Sequence, residues 1–348
     1  MSSVQAHGPE LDAGEAVLAA LAPAPARRHI RGRRHLWIVQ RLAVALATLF
    51  AISILVFAAT QALPGDPARV ILGHDATRAQ LADLRAQYGF DKPLLTQYAD
   101  WLKGAVTGDF GQSISAHQAV TTVLGDRLTN SAILVLLTML AIVPLALVVG
   151  TVVAVRADRA MDHAVTVVAL VLNALPEFVI GLGLVMLFAT NVLKVLPAVA
   201  LIPPGASPLA HPSNLVLPVA TLALATAPYL IRLVRASVME VLQAEYVRMA
   251  ELKGLHRRTI LIRHVLPNAL IPFIQGAALT LAFLAGGVVI VEYLFAYPGI
   301  GGALTQAVTS RDVPVIQAVT LILACVYVGA NLLADVLVVY ATPKLRRG

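Results

Sequence analysis

Six stretches of this sequence stay apolar for about twenty residues or more, and that feature leaves few folds open. Crossing about 30 Å of hydrocarbon at about 1.5 Å per residue takes roughly 20 apolar residues in a helix. The six run approximately Leu42–Ala62, Ala132–Val155, Ala164–Val192, Leu215–Val234, Ala269–Leu294 and Val315–Ala341. Of 348 residues, 58% are hydrophobic and only 13% charged. Soluble domains carry roughly 25% charged residues, so this surface is not built for water. The chain is predicted to be an all-α polytopic membrane protein with six transmembrane helices. Prolines inside the stretches, Pro144, Pro176, Pro218 and Pro272, favour a packed bundle with kinks, since neighbouring helices must satisfy the freed carbonyls.

Lys and Arg in the connections set the orientation. Arg27, Arg28, Arg31, Arg33, Arg34 and Arg41 precede the first stretch; Arg156 and Arg159 follow the second. Arg232, Arg235, Arg248, Lys253, Arg257, Arg258 and Arg263 follow the fourth, and Lys344, Arg346 and Arg347 close the chain. The short connections on the other side hold only Lys194 and Arg311. Both termini are therefore expected in the cytoplasm. Residues 1–36 read as a disordered basic cytoplasmic tail, its first part rich in Ala, Pro and acids. The apolar run from Leu42 exceeds the core of a signal peptide and reads as a retained span. Its Arg cluster reads as a topological anchor that also meets anionic lipid.

The formal net charge of +7 is concentrated at one end, and aromatic residues make up 5%. Nucleic acid is therefore not an expected partner. The single cysteine, Cys325, forms no intramolecular disulfide and is expected to be a small buried core residue.

Two connections carry structure. In residues 63–130, Leu63-Pro64-Gly65-Asp66-Pro67 reads as a turn at the membrane edge. Thr77 is placed to cap a helix carrying Leu81, Leu84 and Tyr88, stopped by Gly89. Asp91 is placed to cap a second one carrying Leu94, Leu95, Tyr98 and Leu102, ended by Gly104. This extracytoplasmic helical insert reads as a structural cap or as a docking surface for an outside partner. In residues 236–267, Met239, Leu242, Tyr246, Met249 and Ala250 share one helical face, and Glu245, Arg248 and Glu251 another. Gly254 sits where a helix should stop. Physics alone leaves two readings, a helix on the lipid surface or one that enters a groove on a cytoplasmic partner.

Ala244-Glu245-Tyr246-Val247-Arg248-Met249-Ala250-Glu251-Leu252-Lys253-Gly254-Leu255, followed after nine further residues from Gly254 by His264-Val265-Leu266-Pro267, resembles the cytoplasmic signature of ABC-importer permeases. The match is closest to the dipeptide/oligopeptide/nickel branch, in its first paired permease. The sequence departs from the general signature at Arg248, Met249 and His264; an Arg at the first position is usual in this branch. Leu63-Pro64-Gly65-Asp66-Pro67-Ala68, Tyr88-Gly89 on to Gln97-Tyr98, Gly108-Asp109-Phe110-Gly111, Val291 through Gly301 and Arg311 through Gln317 also resemble that branch, and the likeness runs over residues 37–345. The resemblance implies a pore-forming permease subunit in a bacterial inner membrane that imports dipeptides or oligopeptides, with nickel or another small solute as the alternative. It implies a second homologous permease, two cytoplasmic ATPases that hold ATP and Mg, and an extracytoplasmic substrate-binding protein. Glu245, Tyr246, Val247, Arg248, Met249, Ala250, Gly254, Leu255, Leu266 and Pro267 would then form the ATPase-coupling segment.

No G-x-x-x-x-G-K-[ST] loop occurs, so no phosphate cradle for ATP is expected in this chain. Neither H-E-x-x-H nor G-x-S-x-G occurs, and no metal site or catalytic residue is expected. A channel, a receptor and an intramembrane hydrolase are the readings from other classes. A charge at mid-bilayer costs about 2.5–3.5 kcal/mol on insertion scales, which makes each one a site candidate. Glu177, Asn173, Gln275 and Glu292 are the pore candidates; Asp335, near the inner end of the last stretch, is the weakest.

The orientation is tested by cysteines placed singly at Lys103 and Arg257 in a Cys325→Ala background. An impermeant thiol reagent added to intact cells should label the first and spare the second. Labelling at position 257 from outside contradicts the assigned topology.

Overall fold

A computed structural model describes residues 33–62, 72, 76–89, 91–203 and 205–341. The turn expected at Leu63–Pro67, most of the N-terminal tail and the closing Lys344, Arg346 and Arg347 lie outside the described residues. Helix α1 (Arg33–Gln61) is followed by α2 (Arg78–Tyr88), α3 (Leu94–Thr107) and α4 (Val120–Val155). Then come α5 (Ala160–Ala174), α6 (Glu177–Val185), α7 (Pro212–Leu242), α8 (Glu245–Leu252) and α9 (Arg257–Ile260). Helices α10 (Leu266–Leu294), α11 (Ile300–Ser310) and α12 (Val313–Ala341) complete the chain. Five of the described helices are long and apolar enough to cross a membrane, counting α10 together with the short turns that lead into it. The remaining apolar stretch is α5 plus α6 with its π-helical extension to Thr190, bent by 105°.

That bend corrects the expectation of a single kinked span over Ala164–Val192. Pro176 forces Leu175 out of the helical region, and the two hold ψ of 134° and 142°. Pro144, Pro218, Pro228 and Pro272 instead sit inside continuous helices. A second correction concerns α4, which begins at Val120. Its first turns are polar, so the apolar run alone places the start too late.

Helix α7 is the spine. It packs between α4 and α10, and Leu222, Leu230, Val234 and Val238 on it join Leu134, Ile142 and Ala146 of α4 in one core with Leu284 and Val288 of α10. Close approach depends on small residues, as is usual where lipid supplies no hydrophobic drive. A Cβ on Gly150 of α4 would lie 2.7 Å from Val234.

Polar clamps fix the bundle at both ends. At the arginine-rich end, Arg235 of α7 donates Nε and a second guanidinium nitrogen to the two carboxylate oxygens of Asp162 in α5, both at 2.7 Å. The Asp158 amide adds 3.0 Å to the same group. The bidentate geometry makes this a charge-assisted pair that fixes α5 against α7. Arg41 of α1 pairs with Asp335 of α12 at 2.8 Å, and at the other end Gln317 donates to Thr60 at 2.8 Å. Asp335 is thereby a tie between the first and last helices.

At that other end, Glu292 of α10 is fully buried. Ser131 of α4 donates to its carboxylate, and the Gly301 amide donates at 2.7 Å. Ile300 N–H donates to Ser131 and Tyr297 O–H to the Asn130 carbonyl, while the Asn130 amide donates to the Pro298 carbonyl. Asp312, before α12, accepts from Ser113 Oγ at 2.5 Å, Ser115 Oγ at 2.8 Å and the amides of Ile114 and Ser115. Burial pushes its carboxyl up, but these hydrogen bonds outweigh it and the group ends below its ordinary value. Its contribution is thus present above the usual carboxylate range and is lost as pH falls through the lowered native value.

The outer connection follows its sequence in part. Thr77 and Gln80 form a reciprocal capping box, and Gly89 ends α2 in the left-handed region. Helix α3 differs from expectation. Pro93 occupies its cap position, Gly104 lies within it and Gly108, with φ +83°, stops it. Leu94 and Leu95 point away from the bundle. Tyr98 and Trp101 do the anchoring, Tyr98 through Ser53 at 2.8 Å and edge contacts with Phe50 and Phe57. Cys325 also departs from expectation: it is exposed, on a stretch of α12 with Val326 and Tyr327 that no other described element covers.

Gly299 separates a steric requirement from a conformational one. An added Cβ would lie 2.1 Å from the Glu292 carboxylate, which its partners hold in place. At Gly108 the space is open but φ is positive, a strain of about 1–2 kcal/mol for other residues. Gly299→Ala should therefore abolish the monodisperse folded fraction in detergent, while Gly108→Ala should lower the thermal midpoint only slightly. Equal losses contradict the clamp.

Candidate functional site

Two places concentrate the predicted residues. The first is the turn at the arginine-rich end. Helix α7 stops at Leu242, and Gln243 and Ala244 redirect the chain into α8. Met239 and Leu242 are therefore not continuous with the face of α8, which corrects the single five-residue face read from the sequence. The end of α8 is a Schellman motif: Leu255 N–H donates to the Ala250 carbonyl at 3.2 Å and Gly254 N–H to Glu251 at 2.9 Å. Gly254 has φ +75° with nothing within 4 Å of an added Cβ. The glycine serves the backbone conformation, not a tight fit.

Within α8 the apolar residues divide. Val247 and Ala250 are buried and join Ile260 and Val265 beneath the α7 end of the core. Tyr246, Met249 and Leu252, three residues apart, form a stripe exposed by 46%, 53% and 81%. Ala250 thus faces its own bundle, and the outward apolar face is carried by Tyr246, Met249 and Leu252. Leu252 escaped the sequence reading, because the burial of one flank of so short a helix is set by what packs beneath it. Glu245, Arg248 and Leu255 are exposed around the stripe. Leu266 and Pro267 begin the α-helical part of α10, directly after the π-helical turn Leu261–Val265.

The second place is the elbow between α5 and α6. A cavity of about 540 Å³ opens there, lined from α5 by Asn173, from the elbow by Glu177 and Phe178, from α7 by Thr226 and Tyr229, and from α10 by Thr280 and Phe283 among others. Two pore candidates, Asn173 and Glu177, are brought together. Gln275 does not line the cavity. It is exposed one turn from Leu279, on the α10 face that continues to Phe283. Glu292 lies in the clamp described above and does not reach the cavity. Tyr229 and Phe283 went unnoticed because nothing distinguishes them from ordinary apolar helix residues in the sequence.

The Glu177 carboxylate differs from four others, Asp162, Glu292, Asp312 and Asp335. Each of those has named partners, whereas Glu177 has no hydrogen-bond or ion-pair partner among the described residues. It is half-buried and lies against α10 where Gly287 leaves room; a Cβ there would stand 2.8 Å from its Oε2.

Comparisons with known proteins identify the chain's relatives. Residues 142–347 match the family described as "Binding-protein-dependent transport system inner membrane component", and residues 35–150 match the N-terminal region described for the same kind of membrane component. A Brucella abortus (strain 2308) protein named "Putative peptide transport system permease protein" is 33% identical over 309 residues, covering 89% of this chain and 98% of the relative. The glutathione transport system permease protein GsiC of Escherichia coli (strain K12) is 34% identical over 310 residues, with 89% and 98% covered. GsiC of Shigella flexneri serotype 5b aligns to the same extent at 34% identity. The chain belongs to the family of binding-protein-dependent transport system inner-membrane components.

Proposed function

Taking that membership as premise, we propose that the chain is one of two homologous pore-forming permeases in an ATP-driven importer of short peptides. An extracytoplasmic binding protein delivers the peptide, and two cytoplasmic ATPases, which hold ATP and Mg, drive alternating access. The chain itself performs no chemistry. Peptide names among the relatives, and glutathione, itself a tripeptide, support this substrate class over nickel.

The observation that carries the reading is the outward stripe of Tyr246, Met249 and Leu252 on α8. An apolar face on a helix at the cytoplasmic end, rigidly seated from behind, suits insertion into a groove of an ATPase. Val247 and Ala250 connect that helix to the core of α7, and the short α9 turn connects it to α10. A displacement of α8 is therefore passed as a rigid-body movement to the two helices that also line the elbow cavity. The charged residues Glu245 and Arg248 flank the stripe and set its register.

The division of α8 into two faces yields the test. Met249→Asp and Leu252→Asp should leave insertion and folding intact but cost a few kcal/mol of contact with the ATPase. Co-purified ATPase and uptake should fall together. Ala250→Asp should instead reduce folded protein, since that carboxylate is buried inside this chain. Full ATPase retention with normal coupled uptake in both outward variants contradicts the coupling assignment.

A further inference from the structure

We propose that Glu177 is a specificity-determining station on the translocation path, where its carboxylate pairs with the ammonium group of the passing peptide. This inference rests on the reading of the chain as a peptide importer and deepens it by assigning the substrate group and the residue that meets it.

The first argument is partner satisfaction. Charged groups inside a membrane protein are ordinarily closed by partners, because hydrocarbon offers none. Asp162 has Arg235, Asp335 has Arg41, Glu292 has Ser131 and the Gly301 amide, and Asp312 has four donors. Glu177 alone of this set opens unpartnered into a cavity. Helices α5, α6 and α10 carry no Lys or Arg, and the arginines of α7, Arg232 and Arg235, lie toward its far end, with Arg235 already engaged. Among the described residues no cation therefore neutralises Glu177, and the cavity leaves it open to one from outside the chain.

The second argument is the chemistry of the cavity. The cavity lining offers one carboxylate, the amide of Asn173 and the hydroxyls of Thr226, Thr280 and Tyr229, with aromatic faces from Phe178, Tyr229 and Phe283. Glu177 is the one anionic ligand in that lining and no His or Cys joins it, a poor donor set for a bare divalent cation. No group of three His, Cys, Asp or Glu falls together among the described residues. An ammonium group needs only one carboxylate and a few acceptors, and aromatic faces suit both a cation and an apolar side chain. A volume of about 540 Å³ falls within the range of small-ligand sites and accommodates a di- or tripeptide.

The third argument is position. Glu177 stands at the 105° elbow, between α7 and α10, the helices that leave and enter the α8 turn. Relative movement of α7 and α10 changes the cavity walls around a fixed carboxylate, so the pairing forms and breaks during a cycle.

The test uses the whole importer in proteoliposomes with its binding protein at saturation, comparing wild type, Glu177→Gln and Glu177→Asp on a labelled tripeptide and on its N-acetylated form. Glu177→Gln should assemble normally and transport the free-amine peptide about tenfold more slowly at unchanged KM, because KM is set by the binding protein. Glu177→Asp, which keeps the charge, should recover most of the rate. The ratio of variant to wild type should be near one for the acetylated peptide. Wild-type kinetics in Glu177→Gln, an equal deficit in Gln and Asp variants, or an equal deficit for the acetylated peptide overturns the ammonium pairing. Wild-type importer that moves neither peptide overturns the peptide reading itself, and this inference with it.

Discussion

Hydrocarbon supplies no hydrogen bonds, so every polar group that this chain places in its spans must find a partner within the protein or wait for one. The fold is organised by that constraint. Asp162 and Arg235 close one end of the bundle, Glu292 with Ser131 and Asp312 with Ser113 and Ser115 close the other, and Arg41 with Asp335 ties the first helix to the last. Apolar packing around α7 fills the space between these clamps without fixing their register. Glu177 has no such partner among the described residues, and it lines a cavity.

Much of the fold was legible because the bilayer reduces sequence to a length criterion. Six apolar runs predict the long helices, and Thr77 with Gln80 and Gly89 delimit α2 as their spacing requires. The misreadings share one cause, which is that local pattern does not report what packs behind a residue. Pro144 and Pro176 look alike in the sequence, yet only the second breaks its helix, with Leu175 before it in the extended region. Ala250 and Met249 are adjacent and apolar, yet the core beneath α7 takes one and leaves the other outside. Glu292 reads as a rare intramembrane charge, and only the fold brings Ser131, some 161 positions away in the chain, to its carboxylate. Of the candidate site, Asn173 and Glu177 were visible as polar exceptions, whereas Tyr229 and Phe283 were not.

Buried support and exposed stripe alternate between the α8 turn and the elbow cavity. The Schellman end at Gly254 and the buried Val247 and Ala250 hold α8 without slack, so its outward stripe moves with α7. The arginine clamp on Asp162 ties α7 to α5, and α5 ends at the elbow that carries Glu177.

The central claim is that partners separate the structural carboxylates from the functional one. It is tested most directly by the apparent thermal midpoints of Asp162→Asn, Glu292→Gln, Asp312→Asn and Glu177→Gln in the same detergent. The first three should fall by about 5 °C or more, because each leaves buried partners unsatisfied. Glu177→Gln should match or exceed wild type, since it removes a charge that none of the described residues neutralises. A midpoint for Glu177→Gln that falls as far as the others contradicts the account.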